Sequence, residues 1–310
     1  FFPYYFDTER QVLFQKRDMT TPDPMTPQAA ALFQDVLAEL KSRHENIAIV
    51  LHPPKGLESS DTVFADARAL GLNWDVAKQR AAYQRNYAFF TDLGYPTFPA
   101  QPNVISDYFL DFDIHWRPES AERVAGQILD HFDLNQRDQG PFTKEPSSEV
   151  IIRGSDLEAT AAELCDYTAP PQRPVALVAG RPLTDTAALF GDSPDAEQAD
   201  ILLLGTSFSA YRDLSFAEAL TYLSQSEVEN RGVIGGRISG SFRNNIAQAI
   251  DGRRSTVDGR RSTVDETSLF GSLQTICLTA PRCKAICAKP SAVSVAAAPM
   301  HKAPSFDSAV

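Results

Sequence analysis

Cysteine is scarce in this chain, and the few cysteines form no recognisable metal-binding pattern. There are 4 cysteines in 310 residues. Cys165 stands alone, while Cys277, Cys283 and Cys287 follow one another near the end with the spacing C-x5-C-x3-C. Zinc sites repeat pairs of cysteine or histidine at other spacings. We therefore predict no metal site, and we interpret these residues as thiols or as a single disulfide.

Two further absences narrow the class of protein. No run approaches the roughly 18 apolar residues that a membrane-spanning helix needs. Basic residues are outnumbered by acidic ones, 29 to 40, which leaves a net charge of −11. An acidic chain repels the phosphate backbone, so we expect no nucleic-acid partner.

What the chain does contain is an alternation of apolar runs of strand length with amphipathic segments. The predicted strands are residues 47–51, 150–152, 174–178 and 201–204. The predicted helices are residues 27–43, 74–93, 118–132, 159–164 and 216–224. Prolines at the first helical position and a glycine after the second helix support these bounds. Strands that alternate with helices favour an α/β sandwich with a mostly parallel sheet.

The character of the chain changes after residue 250. The heptad D-G-R-R-S-T-V occurs twice in succession, at 251–257 and 258–264, and residues 266–310 are rich in Ala, Ser, Pro and Thr. Two copies are too few for a repeat architecture. We predict a folded domain over residues 1–250 and a disordered tail over 251–310. The abrupt change suggests a tandem duplication followed by a change of reading frame, which sequencing of the coding region would test.

Two short motifs carry chemistry, and each lies where an apolar segment gives way to a helix. The first contains Asp113, His115 and Trp116; the second is Gly-Thr-Ser-Phe-Ser, with Ser207 at its centre. In a parallel sheet such junctions gather at the carboxyl ends of the strands. A serine there can act as a nucleophile, with a histidine as base and an aspartate that fixes the histidine tautomer. The pair of motifs therefore points to acyl transfer.

Each motif also has a plainer interpretation. Most Gly-x-Ser turns are structural, and Ser209 occupies the position of the second glycine in the G-x-S-x-G elbow. Asp113 could cap a surface turn beside a buried Trp116. A Gly-Asp-Ser sequence, ending at Ser193, precedes its strand in a polar stretch, so we interpret it as a turn.

Other polar and glycine-rich positions have no comparable setting. We expect four histidines to be solvated or locally bonded: His44, His52, His131 and His301. The glycine-rich run 232–240 fits neither G-x-G-x-x-G nor a phosphate loop. We expect it to permit a close backbone approach near the sheet edge.

Taken together, the two motifs resemble those of the AlgX/AlgJ family of alginate O-acetyltransferases. In that family a D-x-H-W segment precedes the strand that bears G-T/D-S-F/Y-S, a circularly permuted order relative to ordinary SGNH esterases. The resemblance spans about residues 30–250 and is nearer to the AlgJ-like single-domain form. Weaker similarities are Pro54-Lys55-Gly56, residues 154–157 and residues 233–236. The resemblance implies an SGNH-hydrolase-like three-layer α/β sandwich.

The resemblance also implies roles for individual residues. Ser207 would be the nucleophile, His115 the general base and Asp113 its orienting partner. No cofactor and no metal are implied. The candidates for oxyanion or substrate contacts are the Ser207 N–H, Tyr211, Arg212 and Gly236.

The family reaction moves an acetyl group through an acyl-serine to a hydroxyl of an exported polysaccharide in the periplasm. A membrane-bound O-acyltransferase would be the donor, and because the chain starts at Phe1 without Met we expect a signal or membrane anchor to have been lost. Two alternatives stay open: a carbohydrate esterase with the same site, and a non-catalytic or truncated polysaccharide-binding scaffold. The family normally continues past Gly236 into another core strand, which we expect this chain to lack.

Overall fold

Helices and strands alternate along the chain, as the apolar pattern predicts. The computed structural model describes residues 4–7, 12–19, 25–44, 46–58, 74–100, 107–137, 140–144, 159, 180–182, 200–234, 275–278 and 295–298. The helices are α1 (Pro27–Arg43), α2 (Val76–Asp92), α3 (Pro118–His131), α4 (Ser207–Ala210) and α5 (Phe216–Ser224). The strands are β1 (Tyr4–Asp7), β2 (Val12–Gln15), β3 (Ile47–Leu51), β4 (Thr97–Phe98), β5 (Phe142–Lys144), β6 (Gly180–Pro182), β7 (Ile201–Gly205), β8 (Val228–Asn230), β9 (Thr275–Leu278) and β10 (Val295–Ala298).

Local chemistry sets the ends of the long helices. Thr26 caps α1 through its hydroxyl, and Pro27 follows at a position where a backbone N–H is not needed. Asp75 caps α2 in the same way. The chain leaves α2 through Gly94, whose φ of 83° lies in the left-handed region that favours glycine. The bounds predicted for four of the helices are confirmed to within two residues, and the fifth, at 159–164, lies almost wholly outside the described residues.

The central sheet has the strand order β4-β3-β10-β9-β7-β8. β9 runs antiparallel to β3, β7 and β10, whereas β3 is parallel to β4 and β10, and β7 is parallel to β8. Five of the six strands therefore run in one direction and only β9 is reversed, which agrees with the predicted mostly parallel sheet. Because β3 and β7 run in the same direction, their carboxyl ends share one edge of the sheet.

Helices cover the sheet and complete one hydrophobic core. All five residues of β3 are buried, which is typical of a strand covered on both faces. α1 packs against α2, with the Phe33 and Phe90 rings edge to face at 5.8 Å. α3 packs against α5, where buried side chains of both helices join the same cluster. The helices and the sheet therefore share one core, as expected of an α/β fold.

A second apolar cluster lies beside the main core. The hairpin of β1 and β2 contributes Val12 and Phe14, which are buried with Met19 and Trp74. Trp74 directly precedes α2, so the cluster ties the hairpin to that helix. No helix among the described residues is long and apolar enough to span a bilayer.

Two segments of the predicted tail are strands of the central sheet. β9 lies between β7 and β3, and β10 pairs with both β3 and β9. This differs from the expectation of a disordered tail and of a missing core strand. Strands as buried as β3 and β7 need partners for their backbone groups on both sides, which β9 and β10 supply. The boundary at residue 250 stays a prediction.

Several sequence-based predictions fall outside the described residues. These are the strands at 150–152 and 174–178, the helix beyond residue 159, the turn at 191–193, His301 and Gly236.

Candidate active site

Ser207 is the first residue of α4, a single helical turn that follows β7 directly. Thr206 lies between them and caps the turn, since its hydroxyl accepts a hydrogen bond from the Phe208 N–H. The Thr206 carbonyl accepts from the Ala210 N–H at 2.9 Å. We call residues 205–211 the serine turn. Its sharp bend holds the Ser207 side chain at the carboxyl edge of the sheet.

The chain after β8 supports the serine turn from behind. A Cβ placed on Gly232 would come within 2.6 Å of Ser209 Oγ and 2.8 Å of the Ala210 nitrogen. The Asn230 side chain donates a hydrogen bond to the Ser209 carbonyl. The close backbone approach predicted for the glycine-rich run is therefore confirmed at Gly232.

The structure brings Ser207, His115 and Asp113 together in a hydrogen-bonded chain. His115 Nε2 lies 2.8 Å from Ser207 Oγ, and His115 Nδ1 lies 2.7 Å from Asp113 Oδ1. The side chains of His115 and Asp113 are 11% and 16% exposed. The histidine is thus shielded from water but reaches the serine hydroxyl.

Asp113 is held as an anion. Burial by itself raises the pKa of the Asp113 carboxyl. The hydrogen bond from the His115 ring and the charge of that ring lower the pKa, and so do the hydrogen bonds from the backbone N–H groups of His115 and Ile114. The net pKa therefore lies below the ordinary 3.8. A carboxylate can only accept, so the His115 Nδ1 must donate to it. Nε2 of the neutral ring is then free of a proton and can accept one from the Ser207 hydroxyl.

Residues 107–117, which we call the histidine loop, fold back on themselves before α3 begins. The Leu110 N–H donates to the His115 carbonyl at 2.9 Å. The Trp116 indole N–H donates to the Phe208 carbonyl at 3.0 Å. The residues next to His115 and next to Ser207 are therefore bonded to each other, which fixes the spacing of the pair.

His52 lies beneath the site, and the expectation that it is solvated or locally bonded is wrong. It is 1% exposed, and its Nδ1 lies 2.7 Å from the Tyr108 hydroxyl. Its ring stacks on Phe208 at 4.3 Å and meets Trp116 edge-on at 4.4 Å. Burial, and to a lesser degree the charge of His115, lowers the pKa of His52 well below the ordinary 6.5. The ring is therefore neutral and serves as part of the floor of the site.

The other residues predicted to contact the oxyanion or the substrate differ in where the structure places them. The Tyr211 ring stands edge-on to His115 at 5.3 Å and is 39% exposed, so it borders the site. Arg212 is directed away from Ser207, His115 and Asp113. Its Nε lies 3.4 Å from a carboxylate oxygen of Glu218 on α5, and its side chain is 87% exposed. Gly236 lies outside the described residues.

Two charged residues that sequence reasoning passed over contact the histidine loop. Glu58 accepts hydrogen bonds from the Tyr108 and Phe109 N–H groups. Lys55 donates to carbonyls of the same loop. The local signals were a pair of charges in a short segment after a buried strand and, for Lys55, the weak similarity of Pro54-Lys55-Gly56 to the family.

This geometry agrees with the comparison to known protein families. The sequence model of the family described as "SGNH hydrolase-like domain, acetyltransferase AlgX" matches residues 9–251. The chain belongs to this family. The matched residues include Ser207, His115 and Asp113, and also His52 and the short segment 55–58.

A curated relative supports the same family assignment. The chain is 27% identical over 244 residues to the alginate biosynthesis protein AlgX of Pseudomonas putida, a match that covers 74% of this chain and 49% of that protein. The chain thus spans about half the length of this curated relative.

Solved structures of the family share the fold. AlgX of Pseudomonas aeruginosa superposes with a TM-score of 0.56 at 20% identity, covering 75% of this chain and 54% of that one. The O-acetyltransferase domain of Pseudomonas putida AlgJ superposes with a TM-score of 0.56 at 19% identity, covering 81% and 86%. The predicted SGNH-hydrolase-like fold is therefore confirmed.

Proposed function

We propose that this protein is a serine-dependent O-acetyltransferase that moves an acetyl group onto hydroxyls of an exported, alginate-like polysaccharide. The observation that carries the proposal is the continuous hydrogen-bonded chain from Ser207 Oγ through His115 to Asp113. Family membership and the names of the relatives, an alginate biosynthesis protein and an O-acetyltransferase domain, support the choice of reaction.

In the first half of the reaction, Ser207 attacks the carbonyl carbon of an acetyl donor. Its Oγ forms the new C–O bond while the hydroxyl proton passes to His115 Nε2. Asp113 stabilises the imidazolium that results, because its carboxylate already accepts from Nδ1–H. The donor's leaving group departs with the proton from Nε2, and an acetyl ester remains on Ser207.

In the second half, a sugar hydroxyl takes the place of the leaving group. His115 Nε2 accepts the proton of that hydroxyl as its oxygen attacks the acetyl carbon. The tetrahedral intermediate collapses, the Ser207 Oγ–carbon bond breaks, and the serine recovers its proton from Nε2. The product is an acetylated sugar, and the site returns to its starting state.

Negative charge on the carbonyl oxygen needs a donor in both halves. We assign this role to the Ser207 backbone N–H, which bonds to none of the described residues and lies at the start of α4. Tyr211, half-exposed beside His115, is placed to contact the acceptor sugar. Gly236 stays a predicted second donor.

The cellular setting follows from the same assignment. An exported polysaccharide is modified outside the cytoplasm, so we propose a periplasmic location and a membrane-bound O-acyltransferase as acetyl donor. The motif order, with the Asp-His pair before the serine, also fits a circular permutation of the usual SGNH order.

Acetate release from p-nitrophenyl acetate tests the serine chemistry. We expect Ser207→Ala and His115→Ala to lower kcat/KM by roughly 10³-fold or more while both proteins stay folded. Ser193→Ala, in the Gly-Asp-Ser sequence at 191–193, is the matched control and should keep the parent rate. Equal background rates in all four proteins would contradict the proposal and favour a non-catalytic scaffold.

An acceptor then separates transfer from hydrolysis. With alginate oligosaccharides present, a transferase yields acetylated oligosaccharide at the expense of free acetate. Free acetate alone, at a rate that the oligosaccharide does not change, would identify a carbohydrate esterase with the same site.

A further inference from the structure

A buried lysine lies beneath the histidine loop. Lys55 begins the short 3₁₀ helix Lys55–Glu58, which follows β3, and it is only 3% exposed. Its Nζ donates to four backbone carbonyl oxygens: Leu13 at 2.9 Å, Leu110 at 2.8 Å, Asp111 at 3.0 Å and Asp113 at 2.7 Å. Three of these acceptors belong to the histidine loop, and the nearest is the carbonyl of the residue whose carboxylate holds His115.

Such a site is built for a cation. An ammonium has three N–H donors and no acceptor, so four carbonyls at these distances satisfy it completely. Burial lowers the pKa of Lys55 below its ordinary 10.5, and the carboxylates of Asp18, Glu58, Asp113 and Asp111 offset part of that shift by favouring the charged form. A buried charge with this many partners is confined to one position, and so are the carbonyls around it.

The other end of the same short helix holds the start of the loop. Glu58 Oε1 accepts hydrogen bonds from the backbone N–H of Tyr108 at 2.5 Å and of Phe109 at 3.2 Å. One helical turn therefore presents a cation to the loop's carbonyls and an anion to its amides. Apart from the bridge between Phe109 and Trp116, the described part of the loop has no strand pairing of its own.

We infer that Lys55 and Glu58 are positioning residues that set the place of the Asp113–His115 pair relative to Ser207. The contacts that define them reach the loop's backbone, and the inference rests on the proposed acyl-transfer function. Displacing a reacting group by about 1 Å can cost on the order of 10²-fold in rate. A loop fixed at its start by Glu58 and in its middle by Lys55 avoids that loss.

The test compares Lys55→Met with the parent in the p-nitrophenyl acetate reaction. We expect kcat to fall about 10- to 100-fold with little change in KM, because the site is misaligned and not blocked. Lys78→Met is the matched control, since Lys78 on α2 is 75% exposed and should keep the parent rate. Leu37→Ala, a buried position on α1, controls for lost stability and should not lower kcat while the protein is folded.

A second readout does not depend on turnover. Nitrogen NMR of the His115 ring reports whether Nδ1 carries the proton and donates to Asp113. The inference requires one tautomer in the parent and a mixture in folded Lys55→Met. If the parent shows no Ser207-dependent turnover, the proposed function fails while this spectrum still tests the positioning role.

Folded Lys55→Met with the parent's kcat and the parent's His115 spectrum would overturn the inference and leave the proposed function intact. If Lys55→Met does not fold, the Glu58 variants decide. Glu58→Ala should lower kcat, and Glu58→Gln, which keeps an oxygen acceptor, should restore most of it. Parent rates in both Glu58 variants would overturn the inference as well.

Discussion

The serine turn and the histidine loop are joined by two hydrogen bonds, His115 to Ser207 and Trp116 to Phe208, but are held in different ways. Ser207 is placed by its sequence neighbours: β7 before it, the Thr206 cap and one turn of helix after it. His115 is placed by residues 50 or more positions away, since Lys55 and Glu58 hold its loop from beneath. The nucleophile's position is thus set mainly by neighbouring residues, with support from Asn230 and Gly232, whereas the position of the base depends mainly on distant segments.

The largest loss of activity should come from a substitution that removes the Asp113 carboxylate without moving the histidine loop. Asp113→Asn keeps the size of the side chain but can donate to His115 Nδ1, which would put the ring proton on Nε2, facing Ser207. We expect kcat/KM to fall on the order of 10³-fold or more. A measured kcat/KM close to the parent value would show that Asp113 does not set the tautomer.

The next largest loss of activity should come from removing the Trp116–Phe208 hydrogen bond, which joins the histidine loop to the serine turn. Trp116→Phe removes the indole donor and leaves the buried Phe208 carbonyl without that bond. We expect a loss of about 1–3 kcal/mol in unfolding free energy and about a tenfold drop in kcat.

The other tryptophan of the chain offers a matched control. Trp74 donates its indole N–H to Gln79 in the smaller apolar cluster, a bond that does not join the histidine loop to the serine turn. Trp74→Phe should lower stability to a similar degree but lower kcat less than Trp116→Phe does. Equal kinetic losses in both variants would mean that the Trp116 link only contributes stability.

A smaller effect is expected from disturbing the serine turn from behind. Gly232→Ala forces a Cβ against Ser209 and the Ala210 backbone, so we expect it to cost about 1–3 kcal/mol and to slow turnover. Gly126→Ala on α3 is the opposite case, because its Cβ would meet only Leu223 at 3.9 Å. There we expect a gain of about 0.5–1 kcal/mol from helix propensity. Urea unfolding of both variants checks this, and a neutral Gly232→Ala would show that the turn can shift.

The smallest effect concerns His52, which contacts both regions. Its pKa is lowered in the folded state, so the unfolded chain binds one more proton once the pH falls below the ordinary 6.5. Stability should therefore decrease as pH falls through this range, by up to about 1.4 kcal/mol per pH unit from this group. His52→Asn should make the decrease shallower in urea unfolding between about pH 7 and 5. Parallel curves for parent and variant would contradict a neutral His52.

The same contrast explains what the sequence could predict. The serine turn follows a run of four aliphatic residues and a glycine, and the histidine loop leads into a helix opened by Pro118. Both signals are local, and together they were enough to predict Ser207, His115 and Asp113 as a group. Among the described residues, however, only the serine turn follows a strand of the central sheet, because the histidine loop has just the bridge between Phe109 and Trp116.

The residues that sequence reasoning missed or misplaced depend on distant contacts. Nothing near Lys55 in the sequence shows that carbonyls from two other segments surround it. His52 follows a buried strand, but its partner Tyr108 lies 56 residues later. Arg212 is next to Tyr211 in sequence, yet a 3₁₀ turn directs it to Glu218 on α5.

The strands β9 and β10 escaped prediction for a related reason. Their segments are short and lie in a region of weak periodicity, so no local pattern marks them as strands. Their place is decided by β3 and β7, which need partners for their backbone groups.

The central claim is that Ser207 carries the acetyl group between donor and acceptor. Mixing the protein with p-nitrophenyl acetate, quenching with acid and mapping peptides by mass spectrometry tests it directly. We expect one added acetyl group on the peptide that contains Ser207, absent from Ser207→Ala and discharged when an oligosaccharide acceptor is added. Turnover that continues unchanged in Ser207→Ala, with no acetyl on that peptide in the parent, would contradict the claim.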